Sequence, residues 1–346
     1  MMSNTSYAVL TKARSKYGRF LSDRDYASLL SCESVPEVML YLKSHTRFAS
    51  VLSEINERDV HRGLLEILLR QYQFSEFVSL CRYDSGMGTG FSLFIIEKYE
   101  VEQIIRYLIL LNSHSTEKFI FQYPAFLSKH TELDFNRIAN ARDYGEFLSA
   151  LERTDYYDVL KVFRPDDKGR LPVSEIENKL YTRLFLHMLE FINKKTKGDE
   201  RRELTEILRK MNDYRMVSRI IRMKQYYDLP PEVLKASTNP EYSALSEKVI
   251  SRMCEAESAE EIYQILHTTR YGRMMEKVGA DKQIDNVGPV IEYRLAKRYL
   301  HFSSNPSVVL VSFIYLSETE LMNVICLIEG VRYRVDPKII QSLLIR

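Results

Sequence analysis

The chain has 346 residues, of which 45% are hydrophobic, 12 are Gly, 10 are Pro and none is Trp. Its 49 Lys and Arg against 47 Asp and Glu leave a formal charge of +2, so no overall field draws it to nucleic acid or to an anionic membrane. So few Gly and Pro leave little material for the tight turns of an all-β protein, while the length allows two or three units that each bury a core.

The first apolar piece, residues 7–10, is followed at once by Lys12, Arg14 and Lys16, which is not the pattern of a secretory leader. A helix start follows at Ser34-x-x-Glu37, where the hydroxyl can accept an orphan N–H of the first turn and the Glu can bond back. Val38 and Leu42 continue it at helical spacing, Thr46-Arg47-Phe48 makes a turn, and Val51-Leu52 closes the segment. Val60, Leu64, Leu65, Leu68 and Leu69 then form the stripe of an amphipathic helix. Residues 84–90, with Asp84, Gly86, Gly88 and Gly90, read as a loop, and Gln103-Ile104-Ile105-Arg106 and the Pro124 segment end the first stretch.

The same order returns. Asp143-x-x-Glu146 starts a helix, Thr154-Asp155-Tyr156 turns and Val159-Leu160 closes. Residues 164–170, with Arg164, Asp166 and Arg170, read as a loop before a stripe of Ile176, Leu180, Leu184, Met188 and Ile192. The highly charged residues 193–202 read as an exposed turn between antiparallel helices. Leu204, Ile207, Leu208, Met211, Val217 and Ile221 make the next stripe, which carries Arg219-Ile220-Ile221-Arg222 and ends near Pro231. A third round begins at Ser258-x-x-Glu261, with Thr269-Arg270-Tyr271 and Met274-Met275, then a loop near residues 279–288. Ile291-Glu292-x-Arg294-Leu295-x-x-Arg298 repeats Ile176-Glu177-x-Lys179-Leu180-x-x-Arg183 in register. Asn323-Val324-Ile325-Cys326 and Pro337 close the round. The longest apolar run, residues 308–316, is broken by Ser312 and falls short of the ~20 residues of a spanning helix, so no membrane crossing is expected.

One helical unit is thus written three times, predicting repeats at 1–127, 128–236 and 237–346. At roughly 105–115 residues each is too large for the 20–50-residue repeats of open solenoids. Three head-to-tail contacts that close would give pseudo-threefold symmetry around a central opening.

Chemistry-bearing motifs are sparse. The Gly86-x-Gly88-x-Gly90 cluster lacks the Lys of a phosphate-binding loop, as Thr89-Gly90-Phe91-Ser92 shows. The seven histidines form no His-x-x-x-His pair, there is no Gly-x-Ser-x-Gly elbow, and the four cysteines, Cys32, Cys81, Cys254 and Cys326, lack CxxC spacing. We therefore expect no catalytic residue, cofactor or metal, and reduced thiols acting as small hydrophobes. Tyr beside basic residues, at Lys224-Gln-Tyr-Tyr227 and Arg332-Tyr333-Arg334, is favoured in contact surfaces and also at half-buried helix ends. The residues offered as partner contacts are Asp84, Gly86, Gly88, Gly90, Arg164, Asp166, Arg170, Arg332 and Arg334. By these residues alone the chain could equally be a soluble helical-repeat adaptor.

The Pro36–Lys43 start (PEVMLYLK), the segments at Gln103, Arg219 and Asn323, and the Ile-Glu-x-Lys/Arg-Leu helices resemble the C subunits of bacterial and archaeal V/A-type rotary ATPases, relatives of the eukaryotic d subunits. The resemblance covers essentially the whole chain. It implies an all-α funnel of three similar bundles around a central cavity, without catalytic residues of its own. It also implies a peripheral place on the cytoplasmic face of the membrane. There the family joins the proteolipid rotor ring to the D and F subunits of the central stalk and, through them, to the A/B head. Repeat one departs from the pattern: it lacks the Glu and basic pair of the Ile-Glu helices, and Cys326 stands where the other copies have Arg106 and Arg222.

Overall fold

The computed structural model describes residues 4–56, 60–83, 91–121, 127–227, 229–272 and 284–346. Among them the regular structure is all helical, as composition and periodicity predict. By its contacts the chain divides into two compact units, Met1–Asp84 with Lys197–Arg346, and Ser85–Thr196.

In chain order the first unit begins with α1 (Asn4–Tyr17), α2 (Asp23–Leu30), α3 (Val35–His45), α4 (Ala49–Leu52) and α5 (Arg62–Cys81). The second unit holds α6 (Phe91–Asn112), α7 (Phe135–Asn140), α8 (Tyr144–Leu151), α9 (Tyr156–Leu160) and α10 (Val173–Lys195). The first unit resumes with α11 (Gly198–Tyr227), α12 (Pro231–Ala236), α13 (Glu247–Glu255) and α14 (Ala259–His267). It ends with α15 (Ile284–Phe302), α16 (Pro306–Arg332) and α17 (Pro337–Leu343).

The three repeated helix starts share one geometry. Ser34 Oγ accepts the Glu37 N–H at 3.4 Å, Asp143 Oδ1 the Glu146 N–H at 2.9 Å, and Ser258 Oγ the Glu261 N–H at 3.2 Å. Each Glu carboxylate then accepts from the residue before the cap: Glu33 N–H at 2.9 Å, and Arg142 and Glu257 N–H at 2.8 Å. The cap residues are extended, with φ of −146°, −140° and −143°, and the donor in reach is therefore the preceding amide rather than the cap's own. The turn that follows also recurs. The hydroxyls of Thr46, Thr154 and Thr269 donate to the carbonyls of Leu42, Leu151 and Leu266, and the aromatics two residues on, Phe48, Tyr156 and Tyr271, are buried.

Each cap segment packs its apolar face on a long helix. Phe147 of α8 stacks on Tyr107 of α6 with ring centroids 4.6 Å apart, and the Tyr107 hydroxyl donates to the Ala141 carbonyl at 2.9 Å. Ile262, Ile265 and Leu266 of α14 share a core with Val217, Ile220 and Ile221 of α11. Val38, Met39 and Leu42 of α3, with Leu65 and Leu69 of α5, share one with Leu321, Val324 and Leu327 of α16 and Ile340 of α17. Burial of side chains such as these contributes about 1.5–3 kcal/mol each before entropy is counted. In the second and third rounds the long helix precedes its cap segment in the chain. In the first round it is the last long helix of the chain that takes this place.

The structure departs from the sequence reading in three places. The charged turn is short: α10 ends at Lys195 and α11 begins at Gly198, so 198–202 are helical, and Asp199 and Glu200 complement the positive helix start. Gly288 lies inside α15 rather than in a loop, while residues 279–283 and Met274-Met275 lie outside the described residues. The apolar run at 308–316 belongs to the 27-residue helix α16, long and apolar enough to cross a membrane; 83% of its most apolar window is buried, as in a core helix. Ser312, Ser317, Thr319 and Asn323 are themselves buried in it, so polar side chains interrupt the run without interrupting the helix.

Candidate functional site

Among the proposed contact residues, Arg164, Asp166 and Arg170 form one built turn after α9. The Asp166 carboxylate accepts the N–H groups of Lys168 and Arg170 at 2.9 and 2.8 Å, and the Arg170 guanidinium at 3.3 Å. Those bonds, the Arg170 amide first, hold the Asp166 carboxyl below its ordinary range against desolvation. Gly169, at φ +73°, supplies the left-handed residue that closes the turn. Arg164 instead donates to the carbonyls of Lys161 and Phe163 at 2.5 and 2.8 Å, so it caps the end of α9 and does not join Asp166. All three are exposed.

Arg332 and Arg334 flank the turn between α16 and α17. The Arg332 guanidinium lies 5.1 Å from the Tyr333 ring centroid and 3.8 Å from Glu329. Arg334 has φ +53°, and the next N–H, Val335, donates to the Gly330 carbonyl at 2.9 Å. This is a helix C-terminus closed by a left-handed residue, here without the usual glycine. Tyr333 is 67% exposed and Tyr226 and Tyr227 are 74% and 67%, so neither Tyr-basic cluster is a half-buried helix end. Asp84, Gly86, Gly88 and Gly90 lie outside the described residues.

What the motifs did not disclose is a buried carboxylate on each long helix that holds a cap segment. Glu100 of α6 accepts from the Thr131 hydroxyl and, at 2.6 Å, from the Tyr156 hydroxyl. Asp213 of α11 accepts from the Ser243 and Tyr271 hydroxyls and from the Ala244 N–H at 3.1 Å. Glu320 of α16 accepts from the Leu21 N–H at 2.6 Å and pairs with Arg47. Burial pushes all three carboxyls above their ordinary range, and the donors just named oppose it. A signal was present: each acid lies within two turns before a recurring marker, at Gln103, Arg219 and Asn323.

A cavity lined by residues including Lys210, Glu292, Ser312 and Tyr315 holds about 20 Å³, room for one water but not for a metabolite. Among the described residues no group of His, Cys, Asp and Glu is arranged to hold a metal ion. His61 caps α5 by accepting the Leu64 N–H at 3.2 Å, and His45 and His267 are exposed at helix ends.

Compared with known proteins, residues 9–343 match the family described as ATP synthase (C/AC39) subunit. The chain is also similar to the C subunit of the A-type ATP synthase of Methanosphaera stadtmanae, with 24% identity over 184 residues. That alignment covers 51% of this chain and 44% of the relative, so the chain matches less than half the relative's length.

Proposed function

Because the chain belongs to the ATP synthase (C/AC39) subunit family, we propose that it is the rotor socket of a V/A-type ATPase. In this reading it is a non-catalytic component on the cytoplasmic face of the membrane. One side seats on the proteolipid ring, and the other receives the D and F subunits of the central stalk. It passes torque between the ring and the A/B head during ATP-coupled proton or sodium transport. The three rounds at 1–127, 128–236 and 237–346 then form a funnel of pseudo-threefold symmetry.

One observation carries this reading most directly. The cap segment of the first round, residues 34–52, uses the last long helix, α16, as its support, just as the caps of the later rounds use α6 and α11. A row of three stacked units would leave its first cap segment and its last long helix unpartnered. In the proposed socket the three rounds close on one another, and closure is what a part loaded in torsion needs if it is not to shear. The buried Arg47–Glu320 pair lies on this seam. Contact turns on rigid elements, such as those of Arg164–Arg170 and Arg332–Arg334, fit a rim that grips partners.

The test is to tag the chain in its host, solubilise the membranes gently and identify what copurifies. Recovery of the proteolipid ring together with D and F supports the socket. Recovery from the cytosol alone, without those partners, sinks it and favours a helical adaptor. In parallel, membranes lacking the chain should hydrolyse ATP without moving ions; coupling that survives the deletion would also overturn the proposal.

A further inference from the structure

The last residue of α15, Phe302, is 84% exposed, an unusual place for a large apolar side chain. Its backbone is nevertheless held from both sides. From α1, the Arg14 guanidinium donates to the Leu300 carbonyl at 2.8 Å and to the Ser303 carbonyl at 2.6 Å. From α11, the Glu203 carboxylate accepts from the Ser303 hydroxyl and from the Asn305 side-chain amide, both at 2.7 Å. The ring of His301 is in edge contact with both Phe302 and Tyr17, with centroids 6.3 and 5.5 Å away. The aromatic side chain is therefore presented to solvent on a fixed support.

A stripe of cations leads to it. Arg294, Lys297, Arg298, His301 and Phe302 fall at i, i+3, i+4, i+7 and i+8 on α15, which is one helix face, and all five are exposed. The opposite face, with Leu295, Ala296, Tyr299 and Leu300, is buried. Two acids of α11 are already engaged: Glu206 accepts from the Tyr299 hydroxyl and Lys210, and also feels the Arg298 charge, while Glu203 is held as described. No acid stands on the stripe itself.

We infer that this face of α15 docks an acidic protein surface, with Phe302 inserted into an apolar pocket and Arg294, Lys297 and Arg298 meeting carboxylates around it. An exposed aromatic with its rotamer-bearing backbone already ordered loses little entropy on binding, which is the property of an interface anchor. Flanking cations supply steering and specificity. A lipid surface fits less well, because an interfacial helix inserts a continuous apolar face and here that face is buried. The inference stands apart from the rotor reading: it specifies the chemistry of the docked surface, whichever protein bears it.

The experiment places the photo-crosslinking amino acid p-benzoylphenylalanine at position 302 of the full chain in its host and maps the captured peptide. The expected product is one protein segment rich in Asp and Glu beside apolar residues. Lys297→Glu with Arg298→Glu should lower its yield at least tenfold, and reversing the partner's acids to Lys should restore it. A synthetic peptide of that segment should bind the Phe302→Ala chain about tenfold more weakly and lose affinity as salt is raised. An unchanged melting temperature for these surface variants separates docking from folding. Absence of a protein adduct, an adduct indifferent to charge reversal, or Phe302-dependent sedimentation with phosphatidylserine vesicles would overturn the proposal. Because scoring rests on the captured chemistry, failure of the rotor assignment leaves the result interpretable.

Discussion

Arg47 and Glu320 stand 273 residues apart in the chain and form an ion pair whose side chains are 3% and 4% exposed. The guanidinium also lies over the rings of Phe20, Phe48 and Tyr72, with centroids 4.1, 5.1 and 5.5 Å away. The pair sits where the cap segment of the first round meets α16, and its geometry sets a test of that seam.

Removing one partner leaves the other charge buried with weaker compensation: Glu320 keeps the Leu21 N–H, and Arg47 keeps Glu76 at 4.0 Å. Arg47→Ala or Glu320→Gln is expected to cost about 3–5 kcal/mol, whereas Arg47→Met with Glu320→Leu should recover most of that loss. Urea denaturation of the three variants decides it. A double variant as unstable as the singles would place the cost in packing around the pair rather than in the charge.

The two tyrosines that close later rounds should behave alike. Tyr156→Phe removes a donor from Glu100 and Tyr271→Phe one from Asp213, each at a buried carboxylate. Each change should cost about 1–3 kcal/mol by leaving carboxylate lone pairs unmet. Matching shifts in denaturation midpoint would mark the two contacts as equivalent; a null effect at either would show that its acid is satisfied otherwise.

Asp213 gives stability a pH dependence of defined sign. Burial raises its carboxyl above the unfolded value, so within that window the folded state binds more protons than the unfolded one. Its contribution is full below the ordinary carboxylate range and is lost as pH rises through the raised folded value. Asp213→Asn does not titrate, so its stability deficit relative to the parent should shrink as pH rises from about 4. Denaturation at a series of pH values checks this, and a deficit that grows with pH would refute it.

How much of the fold was legible in the sequence depends on the range of the interaction. Ser34-x-x-Glu37 and its two copies could be read because a cap and its partner are three residues apart and bond within one turn. The stripe from Ile176 to Ile192 could be read because all five of its positions bury along one side of α10. The Arg47–Glu320 pair could not, since nothing local at either residue names the other. Glu100, Asp213 and Glu320 had a faint signature, an acid shortly before each recurring marker, but such an acid looks the same in sequence whether it faces water or a hydroxyl. Among the candidate contacts, the turn at Arg164–Arg170 was legible from its composition. That Arg164 donates to the carbonyls of Lys161 and Phe163 while Asp166 organises the loop was not.

Gly330 tests the packing of α17. A Cβ placed there would lie 2.4 Å from Ile340 Cδ1 and 2.6 Å from its Cγ1, so the two helices meet at the missing side chain. Gly330→Ala is expected to destabilise by about 1–3 kcal/mol through overpacking, despite the better helix propensity of Ala. Adding Ile340→Ala should return part of the loss. Thermal melts of the single and double variants measure it; additive losses would show that the two positions do not press on each other.

Arg334 gives a change in the opposite direction. Its left-handed backbone suits Gly, so Arg334→Gly should stabilise the isolated chain by about 0.5–1 kcal/mol. If the side chain also grips a partner, the same variant should assemble less well. A more stable chain with undiminished assembly would remove Arg334 from the contact surface.

The core shared by residues 26–69 and 321–344 carries a consequence for the ribosome. The early half of that core is made long before its complement exists. At synthesis rates of about 5–20 residues per second, the apolar faces of α3 and α5 wait roughly 15–50 s for α16 to emerge. Throughout that interval Val38, Met39, Leu42, Leu65 and Leu69 can pack only on one another and on neighbours such as Leu29 and Leu52, without the α16 side of their core. The nascent chain should therefore engage chaperones early and release them only once α16 has emerged.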